Sequence, residues 1–322
     1  MNEKIEKTPE QKSLDAALGA LNKSFGKSFI SQLGDEKIVD MERISTGSFG
    51  LDKILGGGLV RGVIAELYGQ ESAGKSTLAT HMMAEHQKFG EVAMIDEEHV
   101  FDPNYASKLG LDVSKLIFSQ PTYAEEALET IEVLAATGAV SLIVLDSVAG
   151  LSPRAEMDGE TGASNMGLIA RLMGQHLRKV KKIALVNKCS ILYINQIRMK
   201  IGVVFGSPLT TPGGNALKYF SSVRMDIKKT KSFDTGIISM VKTPKNKTFA
   251  PFKSCQFQIN FGEGIDCMRE ILNAATEKKI VDKAGSWFSY GDLKIGQGEE
   301  KAMKFLKNEK QIFEEIKGKL LC

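Results

Sequence analysis

The sequence lacks the features that mark secreted, membrane-spanning and disulfide-held chains. Its four cysteines, Cys189, Cys255, Cys267 and Cys322, show no C-x-x-C spacing. That pattern argues against a zinc ribbon or dithiol centre and fits reduced, mostly buried thiols in a cytoplasmic protein. No apolar run reaches the length of a membrane span, and Met1-Asn2-Glu3-Lys4 lacks the apolar core of a secretory signal. An excess of one charge is missing too. Lys and Arg number 42 against 39 Asp and Glu, a net +3, so any basic surface must arise by clustering. What remains is 43% hydrophobic and 25% charged, an ordinary globular composition on a chain long enough for about two domains.

What the sequence does have is Gly69-Gln70-Glu71-Ser72-Ala73-Gly74-Lys75-Ser76, followed by Thr77, which meets G-x-x-x-x-G-K-[ST] at every fixed position. It lies between an apolar run, Val63 to Tyr68, and a helix-compatible run, Thr77 to Phe89, the strand–loop–helix setting that the motif requires. Glycines let successive backbone N–H groups turn inward around phosphate oxygens, and the helix N-terminus adds partial positive charge. The spacing predicts a nucleoside triphosphate site. Gly69, Glu71, Ser72, Ala73, Gly74 and Thr77 line the phosphates, Lys75 reaches the β- and γ-phosphates, and the Ser76 hydroxyl ligates Mg²⁺.

Glu91 to Glu98, Leu142 to Ser147 and Ile191 to Gln196 read as buried strands, and Tyr123 to Ala136 and Met166 to Val180 as helices. Apolar strands alternating with helices make an α/β fold with a mostly parallel sheet covered on both faces. Ligands collect at the carboxyl ends of such strands, where Asp96, Glu97, Glu98, Asp146 and Gln196 stand. Asp146 follows four apolar residues and is the second candidate for Mg²⁺. A general base must come from the acids after Ile95. Strand alternation groups Asp96 with Glu98 and sets Glu97 opposite, and charge does not choose between the first two.

Nearer the N-terminus, Leu14, Ala17, Leu18, Leu21 and Phe25 form one helical stripe. It must pack on its own domain or on a neighbouring subunit. Two polar segments read as loops with a task, Glu156 to Ser164 and Ile197 to Asn215. The second mixes Arg198 and Lys200 with aliphatic residues, which suits either a nucleic-acid contact or a surface lid.

These motifs, with others in the same order, resemble the bacterial RecA recombinase family. The resemblance is carried by the phosphate loop, Ile95-Asp96-Glu97-Glu98-His99 with Asp102-Pro103, and Val144-Leu145-Asp146-Ser147. It continues in Met166-Gly167-Leu168 with Ala170-Arg171, Ile194 to Gly202, Gly213 to Lys218, and Lys245-Asn246-Lys247 followed by Ala250-Pro251-Phe252-Lys253. It runs from about Ser13 to the C-terminus, and the Gln196 to Gly202 stretch is specific to that family. The resemblance implies an N-terminal docking arm (1–40), a RecA-type ATPase core with two DNA loops (41–264) and a small C-terminal α/β lobe (265–322). It implies an ATP- and Mg²⁺-dependent recombinase that forms helical filaments on single-stranded DNA, pairs them with homologous duplex, and serves recombination, repair and the SOS response.

By the same resemblance, Glu98 is the catalytic glutamate, and Asp102 and Tyr105 contact adenine. Gln196 senses the γ-phosphate, and Lys245 and Lys247 reach the neighbouring subunit's ATP. Met166, Arg171, Arg178, Arg198, Lys200, Ile201, Gly213, Gly214 and Asn215 follow the DNA path. Departures are Glu299, where a duplex-holding lysine is common, a short Asp226 to Lys245 segment, Pro244 in the strand before Lys245, and an end at Cys322 where many members carry an acidic tail. Such departures suit a divergent or virus-encoded member. A ring helicase or clock-type ATPase on the same core is the alternative, and the N-terminal helix and the Lys245/Lys247 pair favour the filament. A P-loop kinase fits less well, since nothing resembles an acceptor pocket.

Overall fold

In the strands of the main sheet, successive apolar side chains fall alternately into two separate cores, and this alternation organises the molecule. The computed structural model describes residues 8–26, 30, 41–159, 167–199 and 209–321, in two compact units that divide after Met41. In the first unit the helix Pro9–Phe25 starts earlier than its apolar stripe suggests. Gln11 N donates to Thr8 Oγ1 while Thr8 N donates to Gln11 Oε1, a reciprocal cap on the orphan N–H groups. No residue of this helix is buried, and Leu14 and Phe25 are 53% and 65% exposed.

The second unit is built on a nine-stranded sheet. From one edge its strands are Gly264–Ile265, Ser254–Asn260, Gly236–Asn246, Val223–Phe233, Ile64–Gly69, Ser190–Gln196, Val140–Asp146, Glu91–Asp96 and Ile117–Ser119. Pairing is parallel from Val223–Phe233 to the Ile117–Ser119 edge and antiparallel on the other side. Ala65, Leu67, Val92, Met94, Leu142, Val144, Leu192 and Ile194 join the core beneath the helices Phe49–Leu55 and Lys75–His86. Their neighbours Ile64, Ala93, Ile95, Ile143, Leu145, Ile191 and Tyr193 join the core beneath Ala124–Ala136 and Leu168–Val186. Period-two side chains on doubly covered strands give this division.

Some element ends differ from the sequence reading. The phosphate-loop helix stops at His86, so Phe89 lies beyond it and is exposed. The strand from Glu91 stops at Asp96, and the helix after Gly167 runs on to Val186. Pro244 lies within Gly236–Asn246 at a register shift, where Arg224 pairs with Lys245 and Asp226 with Lys242. A bulge removes the need for the missing N–H.

The C-terminal lobe has its own core under Cys267–Glu277, Glu299–Asn308 and Lys310–Leu321, with a three-stranded antiparallel sheet. Glu270 fastens it to the rest by accepting from Ser48 Oγ at 2.8 Å and from the backbone N–H groups of Phe49 and Gly50. Cys189, Cys255 and Cys267 are free thiols that burial pushes up to about 12, so they are unreactive near neutrality. Among the described residues no helix is long and apolar enough to cross a membrane.

Candidate active site

The phosphate loop joins the strand Ile64–Gly69 to the helix that begins at Lys75. A Cβ on Gly69 would strike the carbonyl of Ile227 on the neighbouring strand. Gly74, at φ 91°, holds the left-handed turn that aims the helix N-terminus at the loop. Lys75 lies over this turn and donates to Gln70 O at 2.8 Å and Gly69 O at 3.3 Å. Burial pulls its ammonium below the usual lysine range, while Asp146, Glu98 and Glu71 push it back up.

Ser76 Oγ donates to Asp146 Oδ2 at 2.7 Å, joining the loop to the end of Val140–Asp146. The carboxyl of Asp146 is pushed up to about 6 by burial foremost; Glu98 and Asp96 add to this, and the Ser76 hydrogen bond and Lys75 oppose it. A serine hydroxyl beside a buried carboxylate is an oxygen-only donor set short of positive charge. That fits Mg²⁺, which takes few protein ligands and keeps the rest for water and phosphate. Among the described residues no cluster of three or more His, Cys, Asp or Glu offers another metal site.

The acids after Ile95 have three different environments. Asp96 is buried, and its Oδ2 accepts from Gln120 Nε2 at 3.0 Å and Phe101 N at 3.3 Å. Glu97 turns toward the other face, against Gly150, and its carboxyl is pushed up to about 7 by burial first, then by Asp96 and Glu126. Glu98 is exposed, and its Oε1 accepts from Ser147 Oγ at 2.7 Å and from Gln196 Nε2 at 2.9 Å. The Asp146–Ser147 peptide, which carries that serine, is cis. The sequence reading missed Ser147 and Gln120. Each stands at or just after the carboxyl end of a strand, the region where polar residues are worth inspecting.

Asp102 caps the helix Pro103–Lys108, its Oδ1 accepting from Asn104 N and Tyr105 N. Tyr105 Oη lies 3.2 Å from Thr77 Oγ1. Both residues line a cavity of about 110 Å³ with Ser76, Asp96 and Asp146, so the candidate base-binding residues adjoin the phosphate loop.

Arg171 and Arg178 are exposed on Leu168–Val186. Arg198 and Met199 are exposed and pair with Thr210 and Leu209, so the two limbs of the longer loop leave the sheet together. A Cβ on Gly213 or Gly214 would meet Val148 or Ala170 at 2.8 and 2.7 Å, and Asn215 leads into the short helix Ala216–Phe220. Met166, Lys200 and Ile201 lie outside the described residues.

Lys245 and Lys247 are not at this chain's own loop. Lys245 pairs with Arg224, which stands level with Glu66, whereas Gly69 stands level with Ile227. Its Nζ donates to Lys218 O at 2.6 Å and Tyr219 O at 3.0 Å. Burial, then Lys247 and Arg224, holds its ammonium below the usual lysine range.

A parallel-sheet core with a strand–loop–helix phosphate cradle, a Ser–Asp oxygen pair and a carboxylate on the same rim defines a P-loop ATPase. The sequence matches the RecA N-terminal domain model over residues 12–266 and the RecA C-terminal domain model over residues 269–321. It is 51% identical to Protein RecA of Geobacter sulfurreducens over 318 residues, covering 96% of this chain and 94% of that protein. It is 49% identical to Protein RecA of Ruegeria pomeroyi over 319 residues, 97% of this chain and 92% of that one. A crystal structure of the RadB recombinase shares the fold at a TM-score of 0.55 and 24% identity, over 69% of this chain and 97% of that chain. The chain belongs to the RecA family. It is a recombinase and a DNA-dependent ATPase, and the family depends on ATP.

Proposed function

We propose that this chain, working in the cytoplasm, forms a helical filament on single-stranded DNA. The filament pairs that strand with homologous duplex and hydrolyses ATP with Mg²⁺ at each subunit interface. One observation carries the reading: the side chain of Gln196, the first residue before the longer loop, donates to Glu98, the candidate general base. Lys75 and the backbone of the loop hold the β- and γ-phosphates. Ser76 and Asp146 hold Mg²⁺, which when bound neutralises charge building on the phosphate oxygens. Glu98 accepts the proton of the attacking water. A γ-phosphate oxygen competes with Glu98 for the Gln196 amide, so nucleotide binding releases the base and shifts the limb bearing Arg198. Asp102 and Tyr105 border the adenine, and Arg171, Arg178, Arg198, Gly213, Gly214 and Asn215 follow the DNA backbone.

Lys245 and Lys247 serve the neighbouring subunit's ATP, in keeping with their distance along the sheet from their own phosphate loop. The exposed apolar stripe of Pro9–Phe25 supports docking on the adjacent subunit. Open head-to-tail assembly brings the same pair of surfaces together at every interface.

The test is hydrolysis with and without single-stranded DNA. Glu98→Gln is expected to slow DNA-stimulated hydrolysis ~10²–10⁴-fold while nucleotide affinity holds. Gln196→Ala is expected to leave DNA affinity insensitive to ATP. A wild-type rate in Glu98→Gln removes the base, and an unaltered ATP effect in Gln196→Ala removes the switch.

A further inference from the structure

Beneath Gln196 lies a second polar linkage that the hydrolytic site does not use. Glu66 sits in the middle of the strand leading into the phosphate loop and is fully buried. A carboxylate there survives only with its charge and lone pairs answered. Arg224 Nε, on one neighbouring strand, donates to Glu66 Oε2 at 2.5 Å, and Asn195 Nδ2, on the other, donates to Oε1 at 3.1 Å. The Arg224 guanidinium also lies over the Tyr68 ring, 4.5 Å from its centre, which limits its freedom to turn away.

Asn195 is the centre of this arrangement. It is wholly buried, and its Nδ2 also donates to Pro212 O at 3.2 Å while its Oδ1 accepts from Gln196 N at 3.0 Å. The amide has one workable orientation. Turned over, its oxygen would face the Glu66 carboxylate and the Pro212 carbonyl, both acceptors, and its NH₂ would face the Gln196 N–H. One side chain thus grips the outgoing limb of the longer loop at Gln196 and the returning limb at Pro212. It fastens both to the Glu66–Arg224 pair. Arg224 in turn stands level with Lys245 on the next strand and contributes to holding that lysine's ammonium low.

We propose that Glu66, Asn195 and Arg224 are positioning residues that tie both limbs of the DNA loop to the strand entering the phosphate loop and to the face carrying Lys245. This deepens the reading of Gln196 as the switch and rests on it. None of the three touches the reacting atoms. Their work is to make the two limbs move as one body, so that displacement of the Gln196 side chain reaches the DNA. The same linkage lets an anion arriving at Lys245 alter the field on Arg224 and bear on the loop through two hydrogen bonds.

The experiment compares Asn195→Asp and Glu66→Gln with the wild-type chain, measuring ATP KM and hydrolysis with and without single-stranded DNA. Asn195→Asp keeps the shape but sets an acceptor against both Glu66 and Pro212. It is expected to cut DNA stimulation ~10-fold, with hydrolysis in the absence of DNA and ATP KM within about twofold of wild type. Glu66→Gln keeps an acceptor for Asn195 and loses the charge, and is expected to cut stimulation by about threefold. Stimulation in Asn195→Asp at more than half the wild-type value overturns the proposal. So does an equal loss with and without DNA, which would mark a general packing defect. A wild-type chain whose hydrolysis ignores DNA defeats the Gln196 reading first and this linkage with it. Should the variants not fold, hydrogen exchange of the wild-type chain decides. Peptides over 190–199 and 209–217 are expected to change protection together on adding a slowly hydrolysed ATP analogue, and independent responses overturn the linkage.

Discussion

The strands from Val223–Phe233 to Ile117–Ser119 run parallel between helices on both faces. The strands Gly236–Asn246, Ser254–Asn260 and Gly264–Ile265 continue the same sheet antiparallel. The parallel half is largely apolar on both sides, and polar groups gather at its carboxyl rim, where Ser76 donates to Asp146 and Gln196 donates to Glu98. In Gly236–Asn246 buried and less buried residues alternate for most of its length. There, Lys245 Nζ donates to the carbonyls of Lys218 and Tyr219 in the helix Ala216–Phe220, away from its own phosphate loop. One half gathers the candidate phosphate, metal and base residues, whereas the other carries Lys245, for which we propose a role at the neighbouring subunit. Burial shapes the division: a doubly covered strand carries an interior polar group only where neighbouring strands answer it, as Arg224 and Asn195 answer Glu66, and otherwise keeps its polar groups near its ends.

The largest expected effect tests whether the two halves meet across subunits. Lys75→Ala removes the cation of the phosphate loop from one half, and Lys245→Ala with Lys247→Ala removes the proposed trans cations from the other. Each is expected to lower hydrolysis ~10³-fold or more, the scale of a cation supplied in trans. Mixed in equal amounts on single-stranded DNA, the two proteins are expected to regain about a quarter of wild-type activity, since random head-to-tail pairing completes that share of interfaces. Mixed filaments as inactive as either parent would confine each half to its own chain.

How much of this was legible follows the same division. Apolar runs such as Leu142 to Leu145 announced the parallel strands, because burial on both faces leaves little room for polar residues. The phosphate loop announced itself because its chemistry needs a fixed local spacing. Glu66 was not legible: one acid within an apolar run gives no sign of its partners, Asn195 and Arg224, which come from strands far along the sequence. The contrast between Asp96 and Glu98 was equally hidden. It depends on Gln120 and Ser147, brought in by other strand ends. The antiparallel half was harder to read, since a bulge at Pro244 breaks its alternation.

A smaller effect separates catalysis from stability at the rim of the parallel half. Asp146 titrates at about 6 in the folded chain against an ordinary 3.8. A raised carboxyl contributes stability fully below its unfolded value, and here that contribution is lost as pH rises from about 4 to 6. Asp146→Asn avoids the loss. Its nucleotide-free form is expected to be more stable than wild type at neutral pH by on the order of 1–3 kcal/mol, and similar near pH 4. Urea denaturation at the two pH values measures this, and hydrolysis is expected to fall in parallel. No gain in stability at neutral pH would mean that the buried carboxylate is already compensated within the chain.

The smallest effect asks whether outward-facing charge in the lobe is tuned for partners more than for the fold. Glu299 opens the helix Glu299–Asn308 and accepts from Arg269 Nη1 at 3.1 Å. Arg269 also holds Asp266 at 3.0 Å and Glu300 at 2.7 Å, so it keeps two carboxylates when the third is lost. Glu299→Lys gives up one partly exposed ion pair, worth ~0–1 kcal/mol, and places a cation at a helix N-terminus, at a further ~0.3–1 kcal/mol. Stability by urea denaturation is therefore expected to fall only slightly. Duplex DNA should respond more visibly, because the exchange turns a repelling charge into an attracting one. Affinity is expected to rise a few-fold at low salt, with the gain shrinking as salt increases. Single-stranded binding through the core loops is expected to change little. Equal duplex affinity in the two proteins at low salt would take this part of the lobe out of the duplex path. An equal gain for single strands would mean that the added charge acts on any nucleic acid through the general field.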